Sequence, residues 1–108
     1  MKMYIFIKDS VPDGMAPVVA AHAALACYLK FEHDEDMVDW LNYSFKKVVC
    51  RVSDKEFDVL KNIKKHNITT ESSLESKEVA MTFCPRDEPQ CDLNWFNSYK
   101  LWKPKTTN

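Results

Sequence analysis

The sequence predicts an α/β fold: a small four-stranded mixed sheet with helices on both faces. Three observations carry that expectation. Short β-branched and aromatic runs alternate with stretches of helical spacing; the last two strand candidates follow one another with no helix between them; and the 108 residues, 45% hydrophobic and 29% charged, suffice for a core. The length predicts a single domain over residues 1–108, since two halves would each approach the roughly 50-residue floor for unaided folding.

Met3 to Ile7 is an aromatic and β-branched run suited to a central strand buried on both faces. Asp9 to Gly14 supplies turn chemistry, and Pro17 fits a first helical turn, where its missing N–H leaves no bond unmade. A helix is therefore expected from Ala16 or Pro17 to about Phe31, with alanines leaving little side-chain bulk on several of its faces. The acids of Glu32 to Asp36 open a second short helix carrying Met37, Val38, Trp40 and Leu41. Lys46 to Val52 is the next strand.

Ser53 with Glu56 forms a capping-box signature, followed by Phe57, Leu60 and Ile63 at helical spacing. His66-Asn67 is expected to close that helix, with strands over Ile68 to Leu74 and Val79 to Cys84 before Pro85. Leu93 to Trp102 suggests a last helix or an irregular aromatic segment. The order predicts a sheet that is mostly parallel early and antiparallel late.

Fifteen Lys and Arg against sixteen Asp and Glu give a net charge of −1, so no whole-molecule field draws the chain to nucleic acid or anionic membrane. An anionic ligand must be held by a local patch. No apolar run approaches the roughly 20 residues of a membrane span, which points to a cytoplasmic protein with no membrane partner. In that compartment Cys27, Cys50, Cys84 and Cys91, which lack C-x-x-C or zinc-ligand spacing, read as buried thiols, and the sequons at Asn42 and Asn67 as coincidence. No metal site or cofactor is expected.

Gly-rich phosphate loops, H-E-x-x-H helices and G-x-S-x-G elbows do not occur. What remains is the strand-to-helix junction, where Gly14 precedes a helix start whose N–H groups and dipole can hold a phosphate or carboxylate; the plain alternative is a tight turn. His22 lies among Ala20, Ala21, Ala23 and Ala24, either as a satisfied core histidine or as an imidazole within reach of a flat ligand. Ser72 and Ser73 become nucleophiles only beside a base, and spacing reveals none. The lysines at 46, 47, 61, 64, 65, 100, 103 and 105, with Tyr99 and Trp102, are either a phosphate-tracking set or solvated faces.

The stretch Val11-Pro12-Asp13-Gly14-Met15-Ala16-Pro17-Val18-Val19-Ala20-Ala21-His22-Ala23-Ala24 resembles the opening of the type-2 peptidyl-tRNA hydrolase superfamily, with its strand, Gly-containing loop and His-Ala-Ala helix. Lys47-Val48-Val49 with Ser53-Asp54-Lys55-Glu56 is similar to the family's second strand and next helix. His66-Asn67-Ile68 and Leu74-Glu75 through Pro85 resemble its later passages. Pro12, Gly14, Leu74 and Glu75 look most like the divergent branch of peptidyl-tRNA hydrolase domain-containing proteins. The departures are Met15 where the family has lysine, Val19 where it has glutamine, and Thr70 to Lys77 where it has Asp-Ala-Gly-x-Thr-Gln.

The resemblance implies a peptidyl-tRNA hydrolase-like protein cleaving an ester on tRNA, weakened or silenced by those replacements. It implies catalytic candidates His22, Ser73 and Glu75, and ligand-binding candidates Gly14, Met15 and Lys47. The alternative is a module that binds or sequesters a nucleotide-like ligand, an RNA end or a protein partner without chemistry. A third reading is a homodimer or partner surface on Trp95, Phe96, Tyr99 and Trp102.

Overall fold

The computed structural model describes residues 1–86, 96 and 98–105. Strand β1 (Lys2–Lys8) leads through a 3-10 turn (Asp13–Met15) into helix α1 (Ala16–Lys30). The short helix α2 (Glu35–Asp39) continues as a π-helical turn (Trp40–Ser44) into β2 (Lys46–Val52). Helix α3 (Asp54–Leu60), β3 (His66–Glu71), a 3-10 turn (Ser72–Leu74) and β4 (Lys77–Phe83) follow. The four strands form one mixed sheet in the order β2-β1-β4-β3.

Strands β1 and β2 are parallel, with Lys2 opposite Lys46 and Lys8 opposite Val52, while β4 is antiparallel to both β1 and β3. The crossover from β1 to β2 moves one way along the sheet and that from β2 to β3 moves back. Both keep the usual right hand only if their helices lie on opposite faces. Alternation along β1 fits this: Met3, Ile5 and Ile7 join Val19, Ala23 and Cys27 of α1 with Met37 and Trp40 in one core. Tyr4 and Phe6 join Phe57 and Leu60 of α3 with Phe83 and Phe96 in a second. Each of the large side chains contributes about 1.5–3 kcal/mol by leaving water.

Local chemistry explains the element ends. Ser53 Oγ accepts from the Glu56 N–H at 3.1 Å and Glu56 accepts from the Ser53 N–H at 2.9 Å, so both halves of the capping box start α3. The Asp34 carboxylate accepts from the Asp36 N–H at 2.9 Å and opens α2. Helix α3 stops at Leu60 because the Asn62 and Ile63 amides turn back three residues, to Val59 and Leu60. His66-Asn67 therefore does not close the helix. Lys65 takes a left-handed φ of 61° and its carbonyl accepts from Cys84, so pairing with β4 begins at His66.

Residues 100–102 return along the free edge of β2: the Arg51 N–H donates to Lys100 at 3.0 Å and the Trp102 N–H to Val49 at 2.9 Å. This covers an edge that would otherwise offer unpaired backbone groups. It also removes Phe96 from the expected aromatic contact surface and leaves Tyr99 and Trp102 only partly exposed. Phe96 is 1% exposed against Tyr4, Phe6 and Phe83, Tyr99 meets Phe6 edge-on, and half-buried Trp102 lies against Arg51 and the first core. Trp95 and Cys91, and most of the helix expected at Leu93 to Trp102, lie outside the described residues. No helix among the described residues is long and apolar enough to cross a membrane.

Candidate functional site

Parallel strands β1 and β2 send their connections to opposite faces, and such a divergence leaves a crevice outside their carboxyl ends. A cleft of about 550 Å³ opens at that end of the sheet. It is lined by Lys8 at the end of β1 and Ser10 after it, Asp54 at the start of α3, Ser73, Leu74 and Glu75 of the β3–β4 connection, and Lys77, Glu78 and Val79 of β4. Lys8 Nζ lies 3.4 Å from Asp54 and 4.5 Å above the centre of the Phe57 ring. The β1 terminus thus presents a cation that is held in place and partly neutralised.

On the far side of the cleft, Ser73 Oγ donates to Glu71 Oε1 at 3.0 Å and its N–H donates to the same oxygen at 3.3 Å. The carboxylate therefore both caps the 3-10 turn and fixes the hydroxyl, the arrangement a base needs to polarise an O–H. Glu75 and Ser76 follow with left-handed φ values of 59° and 56°, turning the chain into β4. Glu75 stands 3.9 Å from Lys77 in the cleft wall.

The strand-to-helix junction differs from the expectation. The Met15 N–H donates to Pro12 at 2.9 Å, the Ala16 N–H to Asp13, and Pro17 has none, so the donors nearest the helix start are already engaged. Gly14 has no positive φ, and a Cβ there would meet nothing within 4 Å. The bend does not require glycine. Met15 is half-buried against the first core and so fixes the loop by packing.

Asp13 anchors the loop instead. Its carboxylate accepts from the Arg51 guanidinium at 3.1 Å and from the Lys105 N–H at 2.5 Å, while Arg51 also donates to the Lys103 carbonyl at 2.6 Å. The Lys105 N–H, followed by Arg51, holds the Asp13 carboxyl below the usual carboxylate range.

His22 projects from α1 into solvent and has no interaction partner among the described residues. Helix α1 buries Ala16, Val19, Ala23 and Cys27, a stripe of small residues that seats it against the sheet. His22 lies off that stripe, on the helix layer opposite the one that presents Asp54. It is neither sealed in the core nor part of the cleft. Lys47 stands at the start of β2, about 15 Å along the strand from its carboxyl end, too far to share a ligand site with Gly14 and Met15. The structure thus gathers Ser73 and Glu75 and leaves Lys47 and His22 apart from them.

Sequence reasoning missed Lys8, Ser10, Asp54, Glu71 and Lys77. The usable signal was a lysine and a hydroxyl immediately after a central strand, where open α/β sheets bind ligands. The three described cysteines carry no chemistry here: burial pushes Cys27 and Cys50 up to about 11 and, with Asp34 adding to it, Cys84 up to about 12.

A family model described as peptidyl-tRNA hydrolase PTH2 matches residues 1–83, which run from β1 through the end of β4 and include every residue lining the cleft. No curated protein matches the chain.

Proposed function

The chain belongs to the peptidyl-tRNA hydrolase family PTH2, and from that premise we propose that the cleft receives the acyl-bearing end of tRNA with hydrolysis weak or absent. Lys8 and Lys77 provide cations for the terminal phosphate, and Ser73, held by Glu71, faces the ester and its attacking water. Glu75 is a second acid at the same wall. Ester cleavage requires water to add to the carbonyl, the resulting oxyanion to be stabilised, and the ribose oxygen to leave with a proton.

One observation carries the weak-hydrolysis reading: Ser73 and Glu75 line the cleft and His22 does not. Where the family resemblance calls for a lysine, Met15 packs on the first core outside the cleft lining, and the cleft's Lys8 is paired with Asp54. Losing one oxyanion donor alone typically costs about 100- to 1,000-fold in turnover. Turnover at least about 100-fold below that of an intact family site is therefore expected.

The test is release of labelled peptide from peptidyl-tRNA, run beside binding of a non-hydrolysable aminoacyl-tRNA analogue. Slow release abolished by Ser73→Ala and preserved in His22→Ala supports the hydrolase reading. Tight analogue binding with no release supports the second reading, a sequestering module, which the solvent-facing His22 favours. Neither binding nor release would remove both.

A further inference from the structure

We propose that the amino edge of the sheet, opposite the cleft, is a contact site for a single-stranded RNA segment, with Tyr43 stacking on a base and Lys2 and Lys46 taking the flanking phosphates. Lys2 and Lys46 are partners in the parallel β1–β2 register, so two exposed ammonium groups emerge side by side, an unfavourable pairing unless an anion joins them. Neither has a carboxylate within ion-pair range among the described residues. Asp39 is the acid nearest to Tyr43 in sequence, exposed one turn before it at the end of α2.

The aromatic half of the site is equally specific. Tyr43 is 86% exposed and makes no ring contact among the described residues, leaving its faces open to a planar base. Ser44 Oγ donates to the Met1 carbonyl and accepts from the Lys46 N–H, which ties the tyrosine's turn to the start of both strands.

Phe45 then adopts a left-handed φ of 58°, a conformation that suits glycine. Its ring packs on Trp40 and carries Lys47 Nζ 3.2 Å from its centre, and Lys47 also donates to the Phe45 carbonyl at 2.7 Å. The strained aromatic thus keeps Lys47 on the Trp40 face of the sheet, while Lys2 and Lys46, one residue out of phase with it along their strands, emerge on the other. An open tyrosine ring on an edge with two lysines that lack carboxylate partners suits unpaired RNA better than a duplex, whose bases are not free to stack on protein.

The site stands apart from the acceptor-end reading, because the two edges are about 20 Å apart along β1 and the probe carries no acyl ester. The experiment measures anisotropy of a fluorescein-labelled single-stranded oligouridylate with the full chain, from about 50 mM salt upward. Tyr43→Ala is expected to weaken binding roughly tenfold. Lys2→Gln with Lys46→Gln is expected to flatten the logarithmic salt slope by about 1.4, since two phosphate contacts are lost. Unchanged affinity in Tyr43→Ala, equal binding of duplex RNA, or equally effective competition by an oligoglutamate peptide would overturn the assignment; thermal melts confirm that each variant is folded.

Discussion

The two ends of the sheet carry similar numbers of lysines and use them oppositely. At the carboxyl ends of β1 and β2, cations stand beside carboxylates: Lys8 with Asp54, Lys77 with Glu75, and Arg51 with Asp13 and Asp9. At the amino ends, Lys2, Lys46 and Lys47 have no carboxylate in range among the described residues. A net charge of −1 describes neither end. Charges at the cleft already hold loops together, so fewer remain for a reaction. At the other edge Lys47 is held by Phe45, while the Lys2 and Lys46 ammonium groups hold nothing among the described residues and are available to an external anion.

The cleft end loses most if the support beneath it is removed. Phe57 lies under Lys8 and anchors α3, so Phe57→Ala is expected to cost about 3–5 kcal/mol in a urea melt. A loss under 1 kcal/mol would show that the cleft end is not built on that ring.

Arg51→Met tests whether the cation at the β1–α1 loop is structural. It strips Asp13 and the Lys103 carbonyl of their partner and should lose about 1–3 kcal/mol. Asp13 also predicts a pH signature. Its folded pKa is lowered, so its contribution is complete above the unfolded value of about 3.9 and disappears as pH falls through the lower folded value. Amide-exchange protection of Arg51 and Trp102 should therefore fall as pH drops below about 4, and Asp13→Asn should show the lower protection at every pH.

The turn into β4 bounds the cleft from the other side. Glu75 and Ser76 both occupy left-handed backbone at the cleft wall, so Glu75→Asn with Ser76→Gly should raise stability by about 1–2 kcal/mol. If Ser76→Gly alone, which leaves the Glu75 carboxylate in place, also slows peptide release, the strain serves the cleft. Gly14→Ala is the smallest change: open space and an ordinary φ predict a gain of about 0.4–1 kcal/mol in a thermal melt. A gain in stability with a loss of analogue binding would mean that a ligand uses the space above Gly14.

Much of the fold was legible because its signals are local. The Ser53–Glu56 box, the Pro17 helix start and the Lys46 to Val52 run each depend on neighbours within a few residues, and the structure reproduces all three. The position of His22 was less legible. Helix α1 carries alanines on several faces, so its sequence shows no sharp apolar stripe to say which side meets the sheet. The cleft was hidden for another reason: Lys8 meets Asp54 only because parallel register sets Lys8 beside Val52, just before the loop into α3.

The chain by itself therefore determined the order and type of its elements, since hydrophobic period, capping and turn chemistry act over single turns of backbone. Tertiary structure alone decided which ionised groups neutralise one another and which stay exposed. That outcome depends on strand register and on the opposite placement of two crossover helices, which bring together residues distant in sequence and turn His22 away from Ser73.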